Sequence, residues 1–220
     1  MIAAPPIVLP LFATPLGIVT LPMAEERNPQ LVDLFLQRAA SGGTAHADAK
    51  VYRSPDDLFD WPEQATRALA TEILRGVCSV VETLNAFGPG QLNSFKVEAR
   101  AWFTIVQQFG SLPAANYPLT AWCALYCVAA PELCATRQDS GVLRLYESRL
   151  GTMFQDATNS VMRVPFTSGH YAWRPVPGQV AIFPAALTHE IALVRSAGQL
   201  ILVTARVRFV APGQQGVGRW

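Results

Sequence analysis

Apolar residues recur along this chain at two different periods, helical from about Asn28 to Gly90 and strand-like before and after. Between Ile7 and Leu21, Val8, Leu9, Leu11, Phe12, Ile18 and Val19 stand among prolines, which predicts one or two short strands at a sheet edge. From Asn28 the pattern turns helical, with Pro29 at the first helical position and Leu31, Leu34, Phe35 and Ala39 on one stripe until Ser41-Gly42-Gly43 ends it. Ser54-Pro55-Asp56-Asp57 reads as a turn with an aspartate suited to a helix start. A second helix is expected over Ala65 to Leu84, where Leu69, Ile73, Val77, Val80, Val81 and Leu84 share a face before Gly88-Pro89-Gly90.

Past Gly90 the runs become short and β-branched or aromatic: Val97 to Val106, Ala121 to Val128, Val142 to Tyr146, Val161 to Pro165, Gln179 to Phe183 and Gln199 to Phe209. No helical pattern separates them, which argues for an antiparallel sandwich or barrel and against βαβ units. The expected architecture is mainly β with some α, a jelly roll backed by two N-terminal helices. Within one domain over 1–220, residues 1–90 give the supporting strand and helices, 91–210 the jelly-roll core and 211–220 a tail. There is no internal repeat and no low-complexity segment.

Composition narrows the function classes. Half of the 220 residues are apolar and 15% are charged, well below the roughly 25% of an average soluble domain, so the chain is expected to fold rather than remain disordered. Seventeen Lys and Arg against sixteen Asp and Glu leave a net charge of +1 without a basic stripe, which speaks against nucleic acid. A mean hydropathy of +0.22 implies apolar surface reserved for a ligand or a partner, and a homodimer is the expectation. The segment from Met1 to Leu21 lacks a basic start and is interrupted by four prolines, so neither a signal peptide nor a membrane span is expected. Cys78, Cys123, Cys127 and Cys134 form no CxxC pair, which fits a cytoplasmic protein without a disulfide framework or a zinc site.

Three histidines offer candidate chemistry. His46 and Asp48 have the spacing with which an imidazole and a carboxylate approach one metal from a strand; a solvated loop is the plain alternative. His189 follows a turn, a buried strand and a proline-ended loop, which would hold its ring at a barrel mouth; a satisfied core histidine is the alternative. His170, beside Gly169, reads as a turn residue. Cys123 and Cys127 share strand parity with Leu125, consistent with small core residues or, facing inward, with a covalent thiol. Trp102, Trp122 and Trp173 read as core or rim aromatics.

The order Pro-Gly-x-x-x-x-Phe-Pro-x-x-x-x-His from Pro177 to His189 has several companions upstream. They are Ala101-Trp102-Phe103, Gly110, and Tyr117-Pro118 ahead of Trp122-Cys123-Ala124-Leu125-Tyr126-Cys127-Val128. Together with Asn28-Pro29-Gln30-Leu31 and the stretch from Ser54 to Leu58, this order resembles a family of 2-oxoglutarate- and Fe(II)-dependent oxygenases over most of the chain. The resemblance implies a cupin-like double-stranded β-helix, with Fe(II) and 2-oxoglutarate as cofactors and a small molecule as substrate. It also implies His189 as a metal ligand and Tyr126 as a hydrogen-bonding partner of the cosubstrate acid. Matched through Pro118, Ala115 and Tyr117 stand where the family has two histidines, and Leu200 stands where its cosubstrate arginine is expected. Arg206 falls near a family asparagine, and since 200 to 208 in steps of two share a strand face, Arg206 or Arg208 is placed to bind a carboxylate from a shifted position.

Three functions follow as expectations. One is an oxygenase with a rearranged ligand set, His189 joined by His170 or by His46 and Asp48. The second is a metal-free enzyme or binding protein whose pocket is lined by Tyr117, Tyr126, Arg206, His189 and Glu190, with His189 as acid and base and Tyr117 beside it. The third is a non-catalytic interaction subunit. An open cavity at Arg206 and His189 would favour chemistry, and a filled barrel would count against it.

Overall fold

In the computed structural model, which describes residues 10, 12–41, 50–133, 137–147, 162–166 and 169–213, two antiparallel sheets face each other and two helices cover the larger one. The elements are β1 (Gly17–Thr20), α1 (Ala24–Ala40), β2 (Val51–Arg53), α2 (Gln64–Leu84), β3 (Lys96–Gln107), β4 (Leu112–Ala115), β5 (Trp122–Ala129), β6 (Leu143–Tyr146), β7 (His170–Trp173), β8 (Gln179–Pro184), β9 (His189–Ile191) and β10 (Gln199–Val210). The major sheet has the order β1-β8-β5-β10-β3-β2 and the minor sheet β4-β9-β6-β7. From β3 onward the chain passes repeatedly between the sheets, which is the winding of a jelly roll.

Strand alternation divides the interior into two cores. On β3, β5 and β10 the odd set Ala101, Phe103, Ile201, Val203 and Ala205, with Ala124, Tyr126 and Val128, faces the helices. There it meets Leu31 and Phe35 of α1 and Leu69, Ile73 and Val77 of α2. Phe35 stacks on Phe103 with centroids 4.2 Å apart, and Trp61 closes both edge-on, a cluster of the kind that adds about 0.5–1.5 kcal/mol per pair beyond burial. The other set, Val106, Cys123, Leu125, Cys127, Leu200 and Leu202, faces the minor sheet and packs on Leu143, Leu145, Trp173 and Ile191. No helix among the described residues is long and apolar enough to cross a membrane.

Several sequence expectations shift. Helix α1 begins at Ala24, so Pro29 lies inside it rather than at its start. Glu25 and Glu26 in the first turn suit the positive end of the helix, and Pro29 is exposed, so its missing N–H removes one bond without a buried clash. Only Gly17–Thr20 of the expected N-terminal strands pairs, on β8; residues 10 and 12–16 form no ladder, and 7–9 and 11 lie outside the described residues. No strand forms over Val161 to Pro165 within its described part; β7 supplies the partner of β6 instead, which makes His170 a strand residue rather than a turn residue. The stretch after Asp57 is a single 3₁₀ turn, Leu58–Asp60.

Candidate site at the mouth of the jelly roll

His189 opens β9 with Ala115 of β4 directly opposite on one side and Leu145 of β6 on the other. Its ring is buried between Tyr117, 5.5 Å away by centroids, and Phe183, 5.0 Å away and edge-on. Nδ1 lies 3.0 Å from the Leu187 carbonyl, and since a carbonyl only accepts, the proton sits on Nδ1 and the lone pair on Nε2. Burial lowers the His189 pKa below the usual imidazole value, with the Leu187 bond opposing it, so the ring is neutral near pH 7. Burial also pushes the Tyr117 phenol up to about 12, which keeps it a hydrogen-bond donor.

Beyond Tyr117 the mouth becomes cationic. The Arg206 guanidinium lies 5.4 Å from the Tyr117 centroid and 5.3 Å from that of Trp102, and Arg53 lies 4.1 Å over the same indole. Trp102 and Tyr117 meet edge-on at 5.5 Å, so these rings form one wall on which both cations rest. Asp56 binds Arg206 at 3.1 Å and is half exposed, so this pair is open to competition from solvent and solutes. In the ladder Arg206 pairs with Cys123, and Cys123 with Phe183, which carries the row across the major sheet to the ring facing His189. Cys123 is fully buried and burial drives its thiol pKa upward, so it keeps its proton; Cys127, pushed to about 12, does likewise.

The structure brings together His189, Tyr117 and Arg206 of the candidate residues and separates the rest. Tyr126 points away from the barrel: its hydroxyl donates to Asn28 Oδ1 at 2.7 Å, and Asn28 Nδ2 donates to the Val128 carbonyl at 2.9 Å, tying α1 to β5. Parity explains this, because with Cys123, Leu125 and Cys127 inward the residue between must face the helices. Arg208 shares the face of Arg206 but is engaged by Glu98 across the ladder, at 2.7 and 2.6 Å. Glu190 lies on the outer face of the minor sheet with Arg144 at 3.0 Å, and His170, next to Tyr146, is on that face too, two strands from His189. His46 and Asp48 lie outside the described residues. Trp102 and Arg53 complete the wall; Arg53 had no signal in the sequence because β2 has only three residues.

No family model and no curated protein matches the sequence. Solved structures do match the fold. A prolyl-4-hydroxylase from Pseudomonas putida superposes with a TM-score of 0.61 at 11% identity, over 89% of this chain and 93% of that one. AviO1 from Streptomyces viridochromogenes gives 0.59 at 12%, over 92% of each chain. HygX from Streptomyces hygroscopicus, solved with nickel and 2-oxoglutarate bound, gives 0.58 at 10%, over 93% of this chain and 85% of that one. The fold is that of the 2-oxoglutarate/Fe(II) oxygenases.

On this oxygenase fold the side chains described around His189 do not fit an iron centre. Such a centre takes two imidazoles and a carboxylate converging on one point. Here the methyl of Ala115, the protonated phenol of Tyr117 and the ring of Phe183 surround the His189 imidazole. No group of three His, Cys, Asp or Glu side chains able to hold a metal occurs among the described residues. Among the described residues a carboxylate deeper in the barrel meets no anchor at Leu200, which belongs to an apolar cluster with Val106, Leu125, Leu143, Ile191 and Leu202, all nearly inaccessible. Arg206 is six residues farther along β10, about 20 Å at the usual strand rise.

Proposed function

We propose that this chain is an iron-independent binding protein for a small organic acid, built on the oxygenase fold. The observation that supports the reading best is the row Arg206, Tyr117, His189, in which a cation, a neutral donor and a neutral acceptor follow one another at about ring-contact spacing along the mouth. A carboxylate would take the Arg206 fork in place of Asp56, with Arg53 adding charge from across Trp102. A hydroxyl on the same ligand would donate to His189 Nε2, whose lone pair the Leu187 carbonyl fixes in place. Nothing in the row needs a metal, and the filled interior leaves the acid at the mouth.

The test is calorimetric titration, with a metal chelator present, of 2-oxoglutarate, 2-hydroxyglutarate and related keto and hydroxy acids. Saturable binding of at least one acid is expected, weakened about tenfold or more in Arg206→Leu because a charge-assisted pair is lost. Asp56→Asn should strengthen it by removing a carboxylate that competes for the guanidinium. An anaerobic titration with Fe(II) and 2-oxoglutarate should give no visible charge-transfer band. A band that disappears in His189→Ala, or acid affinity indifferent to Arg206, overturns the reading.

A further inference from the structure

A cavity of about 350 Å³ opens between the segment of residues 12–16 and the β6–β7 edge of the minor sheet. We propose that it is a second ligand site, for a flat and largely apolar molecule with one polar edge. The site goes beyond the acid-binding reading and does not depend on it.

Its base is built from the inner face of the fold. Leu145 and Leu187 are buried there, and each adjoins His189: Leu145 is its cross-strand neighbour, and the Leu187 carbonyl holds its Nδ1. The cavity therefore adjoins the neighbours of His189 but is lined by none of His189, Tyr117 and Arg206.

Its rim is where the chain leaves aromatic and aliphatic surface uncovered. Phe12 is 90% exposed, Val164 64%, Tyr171 47% and Phe166 38%, and all four border this one cavity. Single exposed apolar residues need no explanation, but four around a cavity of the size that takes a drug-like molecule form a patch whose burial is worth free energy only when something enters. Pro15 and Pro165 are both in the lining, and each fixes one backbone angle there. The polar edge comes from His170 and Tyr146, whose rings are 5.8 Å apart. The Glu190 carboxylate, and burial after it, hold the Tyr146 hydroxyl protonated, and the exposed His170 stands beside it in the lining. An apolar body with one hydrogen-bonding edge matches this lining.

The probe is 2-naphthol, planar and neutral with one hydroxyl, titrated into the full chain and followed by its own fluorescence. Saturable one-site binding with a Kd of about 1 mM or tighter is expected for a molecule of that size. Tyr171→Ala and Phe12→Ala, both at exposed positions where the fold tolerates truncation, should each weaken it about fivefold or more. Arg206→Leu should leave it unchanged. The proposal is overturned if 2-naphthol shows no saturable binding, if neither rim variant affects it, or if Arg206→Leu abolishes it, which would put the probe in the cationic site. Since acid titrations read Arg206 and naphthol titrations read the rim, either site can fail without the other.

Discussion

Removing one oxygen atom from Tyr126 separates a structural role from a ligand-binding one. The Tyr126 hydroxyl donates to Asn28 Oδ1 at 2.7 Å in the buried seam between α1 and β5, and the other end of the Asn28 amide is fixed on the Val128 carbonyl at 2.9 Å. Tyr126→Phe keeps the ring and its packing but leaves Asn28 Oδ1 buried without that donor. The net hydrogen bond is worth about 1 kcal/mol, and stranding its partner raises the cost to about 1–3 kcal/mol. At about 2 kcal/mol, a chain of this length should lose about 4–8 °C of melting temperature. The assay is thermal unfolding of wild type and variant, paired with acid titration of each at a temperature where both are folded. Expected are a lowered Tm and an unchanged Kd. An unchanged Tm with weakened acid binding would refute the placement of Tyr126 on the helix face and return it to the barrel.

Two further outcomes are expected. His189 is held neutral by burial, so the unfolded chain takes up its proton at a higher pH than the folded chain does. The stability this contributes is fully present above about pH 6.5 and is lost as pH falls below that value toward the lowered folded pKa. Tm measured from pH 8 down to 5.5 should therefore fall less in His189→Gln than in wild type, and parallel curves would refute the argument. Gly110→Ala should destabilise by about 1–3 kcal/mol or more in denaturant unfolding, because its Cβ would stand 2.7 Å from the Lys50 carbonyl oxygen and 3.0 Å from that of Gln107, both backbone atoms. A variant as stable as wild type would mean that the β3–β4 turn yields easily.

What the sequence disclosed followed the strength of its periodic signal. The long central strands, Val97 to Val106 and Gln199 to Phe209, were legible because they are buried and β-branched, and they pair with each other along their whole length. The strands β2 and β9 have three residues each and β4 and β7 four, too short for alternation to show, and their pairing is set by partners far along the chain. For the site, parity on β10 put Arg206 on the inner face, whereas the same parity applied to β5 excludes Tyr126 once Cys123 and Cys127 are inside. Motif position alone had grouped them. Trp102 looked like an ordinary core aromatic because nothing local shows that two arginines from β2 and β10 will rest on it.

The place of β10 between β3 and β5 also governs how this chain reaches its native state. The central strand of the major sheet leaves the ribosome after both of its partners, β3 lying on the order of a hundred residues earlier. Until β10 arrives, β3 and β5 each present an unpaired edge rich in buried-type residues, the kind of edge that recruits other chains. Loop closure over that distance makes the final zippering slow, so nascent copies depend on low local concentration or on chaperones for longer than a helical protein of equal size would. Premature termination anywhere before Gln199 would leave no smaller version of the sheet to fall back on, only two facing edges without the strand that joins them.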